Sequence, residues 1–221
     1  MSAARPVIPV TVVSDVLCPW CWIGKRSIEL AANEAGVALD LHWKPYLLDP
    51  TLPREGVDKL QHYTKKFGAR AQAMVVDPNN PLNQRGRPMG LEYTYHEGSK
   101  VFDSLPAHRL LYFARSKFGS EAQNRVQEVL FRRYFKDGEN LGGDAALLEA
   151  AKEAGLPEDQ TKAYLASNDD YDVVKGEVRK VQQFVDGVPF FTFPSGKQIS
   201  GGEAVTTFAQ ILQKEATLLK Q

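Results

Sequence analysis

The 221-residue sequence predicts an α/β protein in which an α-rich block separates the two halves of one sheet. Three observations carry this reading. A β-branched run leads straight into a helical pattern near the start, a hairpin pattern leads into a helix at the end, and helical signals follow one another from Asp103 to Asp186. The length suits one large domain or one domain carrying an inserted second, with a core that needs no covalent help.

Val7-Ile8-Pro9-Val10-Thr11-Val12-Val13 reads as a strand buried on both faces. Trp20 to Ala35 then carries good helix formers, with Ile23, Ser27, Leu30 and Ala31 on one face and Gly36 placed to end the helix. Leu39, Leu41 and Trp43 alternate with polar residues, a second strand ending near Lys44-Pro45 that completes a βαβ unit. Residues 46 to 101 are rich in Pro, Gly, Asn and Arg and read as one short helix over Val57 to Met74 in a long loop, either a binding or lid segment or a passive excursion.

In the α-rich block Ser104 is positioned to cap a helix that stops at Gly119, and Ser120 with Gln123 forms a capping box for the next. Asp144 caps a third helix ending at Gly155, Pro157 opens a fourth, and Asp169 or Asp170 opens a fifth with Val174, Val178, Val181 and Val185 in near-helical register. Phe190-Phe191-Thr192-Phe193, a Pro194-Ser195-Gly196 turn and Lys197 to Ser200 read as a hairpin, and a final helix starts near Glu203. There is no internal repeat and no Gly-rich phosphate loop.

Lys plus Arg and Asp plus Glu number 27 each, so no net field recruits nucleic acid or an anionic membrane. Met1 to Pro6 enter the first strand without an apolar leader, and no stretch approaches the ~20 apolar residues of a membrane span. The expected address is cytoplasmic, where most thiols are kept reduced.

Both cysteines of the chain lie in Cys18-Pro19-Trp20-Cys21, at the junction of the first strand and helix. The spacing brings two thiols within reach of one disulfide. At a helix N-terminus the free N–H groups and the dipole favour a thiolate, the attacking species, at Cys18. Cys21, one turn on, is set back where it can attack a mixed disulfide. Pro19 suits the first helical turn, and both Pro19 and Trp20 support the site. A zinc half-site lacks further cysteines, and His42, His62, His96 and His108 are scattered; a four-residue staple would constrain little. Asp15 reads as a turn residue or as a relay for the Cys21 proton, His108 as a packed residue or one that polarises a substrate, and Trp20 and Trp22 as dividing site-lining and packing between them.

The order of parts resembles the DsbA-like branch of the thioredoxin superfamily, and within it the cytosolic FrnE-type members. The likeness lies in Ser14 to Arg26, in Ala107-His108-Arg109-Leu110, in Leu130-Phe131 with Tyr134-Phe135, in Gly187-Val188-Pro189-Phe190-Phe191 and in Ile199-Ser200-Gly201. It covers nearly the whole chain except residues 52 to 90. It implies a thioredoxin fold with an α-helical insertion: residues 1–50 and 168–221 form the thioredoxin-like domain and residues 51–167 an inserted helical domain with a loop-rich N-terminal part, the α-rich block capping the active-site face. It also implies that Cys18 is the nucleophile, that Cys21 resolves, and that Pro189 is cis, so that Val188 offers its backbone to a substrate. Trp22 and His108 join the substrate-binding residues.

The function so implied is thiol-disulfide exchange with protein or small-molecule substrates. No metal or organic cofactor is bound, and glutathione or another thiol is the electron donor or acceptor; the oligomeric state, a homodimer included, stays open. Periplasmic members of the branch carry a His between the cysteines where this chain has Trp20. The couple is therefore expected to be less oxidising, in the region of roughly −200 to −270 mV rather than about −120 mV. Two alternatives stand beside this function: a glutathione-dependent transferase or isomerase of the kappa-class or hydroxychromene-carboxylate type, and a peptide-binding chaperone-like module.

Overall fold

The computed structural model describes residues 5–219; residues 1–4 of the expected leaderless start and residues 220–221 of the expected C-terminal part lie outside the described residues. Strand β1 (Val7–Ser14) runs parallel to β2 (Ala38–Pro45), joined by helix α1 (Pro19–Ala35). Register runs from Val7 opposite Ala38 to Ser14 opposite Pro45. The hairpin arrives at the end of the chain as β5 (Phe190–Thr192) and β6 (Gln198–Ser200). Strand β5 pairs antiparallel with β1, Val12 opposite Phe191, giving the order β2-β1-β5-β6.

Only the second half of β1 is buried on both faces; Val7 is 56% exposed and Pro9 is exposed, while Val12, Val13 and Ser14 are all buried. The hairpin pairs with Thr11–Val13 alone, so the start of β1 runs past it. Helix α1 packs on the final helix α9 (Val205–Leu218), and Phe191 meets Phe208 edge-on at 4.8 Å. Gly24 lets α1 lie close against β5 and the residue before it, because a Cβ there would stand 3.0 Å from the Phe191 ring and 3.1 Å from the Pro189 ring.

The segment between β2 and the helical block is more structured than its composition suggests. Strand β3 (Val57–Asp58) pairs with β4 (Lys100–Val101), and between them lie α2 (Lys59–Phe67), α3 (Arg70–Val75), α4 (Pro81–Gly86) and a 3-10 turn over Arg87–Met89. The single helix expected over 57–74 is split at Gly68, whose φ of 63° departs from the helix.

The α-rich block opens with α5 (Leu105–Phe135), broken at Gly119 (φ 87°, ψ 177°) where the sequence places a helix stop. Ser104 holds the N-cap position of α5, but its side chain makes no capping hydrogen bond; Asp103 Oδ1 accepts the Leu105 N–H at 2.9 Å instead. Nor does Gln123 serve a capping box. Its side-chain amide instead reaches the outer edge of β2, accepting the Trp43 N–H at 3.0 Å and donating to the Trp43 carbonyl at 3.1 Å, while Asn124 accepts the Trp43 indole N–H. It stands in for a neighbouring strand. Helix α6 (Asp144–Glu153) packs on α5, α7 (Glu158–Ala166) on α6, and α8 (Tyr171–Val181) on β2 and α5. No helix among the described residues is long and apolar enough to cross a membrane.

Removing the Gln123 amide leaves a buried N–H and C=O unpaired, so Gln123→Leu is expected to lower stability by about 1–3 kcal/mol, read as a shift in the denaturant midpoint at constant slope.

Candidate active site

The site is built on the turn from β1 into α1. Cys18 is the N-cap residue of α1, extended at φ −88° and ψ 110°, with Pro19 in the first turn. Its N–H donates to the Asp15 carbonyl, and its carbonyl accepts the Cys21 N–H, each at 3.0 Å. The side chain of Asp15 is fully buried. Its Oδ1 accepts the Leu17 N–H at 3.1 Å and its Oδ2 the Leu48 N–H at 2.7 Å. Asp15 is therefore neither a solvated turn residue nor a relay open to water: it ties the Cys18 turn to the chain leaving β2.

Both cysteines are free thiols. The Cys18 thiol donates to the Val188 carbonyl at 3.4 Å, and the Val188–Pro189 peptide is cis. Cys21 lies one turn deeper and is fully buried. Burial, followed by the neighbouring Cys18 thiol, pushes the Cys21 thiol well above its ordinary range, with hydrogen bonding from Ser14 and the Asp15 backbone opposing. The two sulfurs thus occupy different environments.

Cys18 opens onto a mainly apolar cavity of about 340 Å³. Leu17, Trp20 and Val188 surround the thiol, and the roof comes from the loop-rich segment, through Leu52, Tyr63, Met74 and Tyr95. The α5–α8 block, expected to cap the site, contributes Phe135 alone to the lining. The Tyr93 hydroxyl donates to the Pro19 carbonyl at 2.8 Å, pinning the first turn of α1 to this roof.

Two expected substrate-binding residues stand elsewhere. Trp22 is 3% exposed, stacks on Phe135 at 6.0 Å, meets Tyr93 edge-on at 5.3 Å and donates its indole N–H to Glu128. It is a core residue because the helical period turns it away from Trp20, which is 40% exposed at the cavity wall. His108 is buried with Nε2 3.0 Å from the Tyr46 carbonyl and 3.6 Å from Asp15 Oδ1, and it lines a separate cavity of about 60 Å³ beside Trp43. It supports the Asp15 turn from behind. Glu128, which no sequence pattern marks, receives Lys25 at 2.8 Å, Arg26 at 2.9 Å and the Trp22 indole N–H, clamping α1 to α5. Burial alone would raise its carboxyl, yet the two cations hold it below the ordinary range. Lys59, Tyr63 and Tyr93 in the roof carry no such pattern, and the local cues there are the caps of α2 and α4: Asp58 Oδ1 accepts the Gln61 N–H at 2.7 Å and Asn80 Oδ1 the Asn83 N–H at 3.0 Å.

The model of the DSBA-like thioredoxin domain matches residues 9–213. The chain belongs to the DSBA-like thioredoxin domain family. A curated relative, the uncharacterized protein YwbO of Bacillus subtilis, is 25% identical over 198 residues, 89% of this chain and 91% of its own. Among solved structures, a probable DsbA oxidoreductase from Streptomyces coelicolor is similar at a TM-score of 0.80 and 27% identity, covering 94% of this chain and 89% of that one. The cytosolic disulfide reductase DsbM from Pseudomonas aeruginosa, also solved with GSH, shares the fold at 0.61 and 19%, covering 96% of this chain and 98% of that one. The DSBA-like fold with its helical insertion is thus the fold of this chain.

The unequal surroundings of the two thiols predict unequal reactivity. In the reduced protein at neutral pH, iodoacetamide is expected to label Cys18 at least about tenfold faster than Cys21, read by peptide mass spectrometry, with Cys21 equalising only on unfolding.

Proposed function

We propose that this DSBA-like chain is a thiol-disulfide oxidoreductase of the FrnE type, working in the cytoplasm through Cys18 and Cys21. The observation that carries the reading is the pairing of Cys18, at the N-terminus of α1 and the wall of a cavity, with Cys21 buried one turn behind. Cys18 faces substrate, and Cys21 is shielded from it.

In the reducing direction, the Cys18 thiolate attacks one sulfur of a substrate disulfide. That S–S bond breaks, a Cys18–substrate disulfide forms, and the first substrate thiolate leaves and takes up a proton. Cys21 then gives up its proton and attacks the Cys18 sulfur, releasing the second substrate thiol and leaving a Cys18–Cys21 disulfide. The dithiol has lost two electrons and two protons, and the substrate has gained them. Two equivalents of glutathione or another thiol restore the dithiol. The oxidising direction is the reverse.

Each surrounding residue has a part in this reading. Cys18, as the N-cap of α1, stands where the helix begins and at the cavity wall, placed to be the attacking sulfur. The high proton affinity of Cys21 keeps it a thiol until the mixed disulfide has formed. Val188, beside the Cys18 sulfur, offers its backbone to an extended substrate, and Pro189 holds that loop against α1 at Gly24. Pro19 and Trp20 shape the entrance, and Trp22 keeps α1 seated in the core. No group outside the chain is needed for the exchange itself.

Variants at the two sulfurs test this. Cys18→Ser is expected to bring disulfide exchange to background. Cys21→Ser is expected to accumulate one equivalent of a Cys18 mixed disulfide with glutathione, seen by mass spectrometry as a single adduct that does not turn over. Unimpaired turnover of a small substrate by Cys21→Ser, with Cys18→Ser inactive, would move the assignment to a glutathione-dependent transferase or isomerase.

A further inference from the structure

The cavity at Cys18 contains a cation without a counterion. Lys59 opens α2, lines the cavity and is 8% exposed. Its Nζ lies 4.2 Å from the centre of the Tyr134 ring and 5.9 Å from that of Phe135. Among the described residues no charged group faces it, and burial alone lowers its amine to about 8. The Tyr134 hydroxyl beneath is buried and likewise has no hydrogen-bond partner in the protein.

The acids nearest in the chain and in the cavity are committed elsewhere. Asp58 accepts the Gln61 N–H as the cap of α2. Asp49, the acidic residue of the lining, accepts the N–H and hydroxyl of Thr51, and its other oxygen lies 3.7 Å from His62 Nε2. Lys66 adds to the charges that Asp49 feels. The cavity face of α2 therefore carries Lys59, His62 and Lys66, and the acid that answers them sits with the latter two.

A lysine largely buried at an apolar cavity wall with no acidic partner is costly, and a Met or Leu of similar size would fill the same place without that cost. A ring face offsets part of the penalty but supplies no acceptor for the three N–H bonds. What the site lacks is an anion. At about 340 Å³ the cavity also falls in the size range of small-molecule sites, about 300–1,000 Å³.

We propose that Lys59 is the anion-binding residue of the Cys18 cavity, and that the small thiol or disulfide exchanging with Cys18 there carries a carboxylate separated from its sulfur by an apolar body. This rests on the exchange reading: the dithiol reduces one acidic disulfide RSSR to two RSH, becoming the Cys18–Cys21 disulfide. The carboxylate takes no part in the bond changes; it anchors the molecule while the sulfur reaches Cys18, and the apolar walls accept the body between.

Two measurements on the full chain decide this. In the first, the reduced protein is titrated with 3,3′-thiodipropionate, a redox-inert thioether diacid, following tryptophan fluorescence. Saturable binding is expected, weakened by about tenfold or more in Lys59→Met and restored in Lys59→Arg. Lys65→Met, which removes the same charge from the exposed side of α2, is expected to change it by less than about twofold. The Met variant removes an unpaired buried charge, so it retains the fold. Absence of binding to the native protein, or equal binding by Lys59→Met, overturns the proposal.

In the second, the rates at which 3,3′-dithiodipropionate and the neutral 2-hydroxyethyl disulfide oxidise the reduced protein are compared. The acid-to-neutral ratio is expected to fall about tenfold in Lys59→Met; an unchanged ratio assigns the cavity to neutral partners and overturns the proposal. If neither disulfide oxidises the dithiol while thioether binding still depends on Lys59, the exchange reading fails and the anion site stands.

Discussion

The buried carboxylate of Asp15 is the joint on which this site depends. A carboxyl group so far from solvent is tolerable only when its oxygens are hydrogen-bonded, and each accepts a backbone N–H: Leu17 from the turn into α1 and Leu48 from the chain leaving β2. The Asp15 carbonyl also accepts the Cys18 N–H. One residue therefore sets where β1 stops, how Cys18 caps α1, and where the roof of the cavity begins. His108, behind it, holds the Tyr46 carbonyl on the same strand exit.

The chain between β2 and β5 divides its work in a way that neither half performs alone. The first part, through α2, α3 and α4, roofs the cavity and presents Tyr63 and Lys59 to it. The second part buttresses the frame: Glu128 of α5 receives Lys25, Arg26 and Trp22 of α1, and Gln123 closes the outer edge of β2. Tyr93 joins the two, with its hydroxyl on Pro19 and its ring against Trp22. Substrate-facing variation and frame stability are thus placed on different segments.

The frame was legible because its signals are local and periodic. The β-branched run of β1, the alternation of Leu39, Leu41 and Trp43, the Pro157 start and the Gly119 break each announce themselves within a few residues, as do the two cysteines of Cys18-Pro19-Trp20-Cys21. The roof was not legible, since α2, α3 and α4 are short, polar and interrupted, and what they cover is decided by tertiary packing. The same holds for individual side chains. Gln123 fits a capping box by spacing and is drawn away by the open edge of β2, Trp22 differs from Trp20 only in the face of α1 it occupies, and Asp15 looks like a turn residue until its distant donor, the Leu48 N–H, is seen. Lys59 carries no pattern at all; it is notable only because no charged group among the described residues answers it.

The central claim is that Cys18 and Cys21 form one reversible redox couple behind the cavity wall. The most direct measurement is an equilibrium titration in glutathione buffers, following tryptophan fluorescence and counting alkylatable thiols by mass spectrometry. The account predicts a single two-electron transition, with both thiols lost together, at a potential of roughly −200 to −270 mV. A stable glutathione adduct on Cys18 with Cys21 still titrating as a free thiol would contradict it, as would a potential above about −150 mV contradict the part assigned to Trp20.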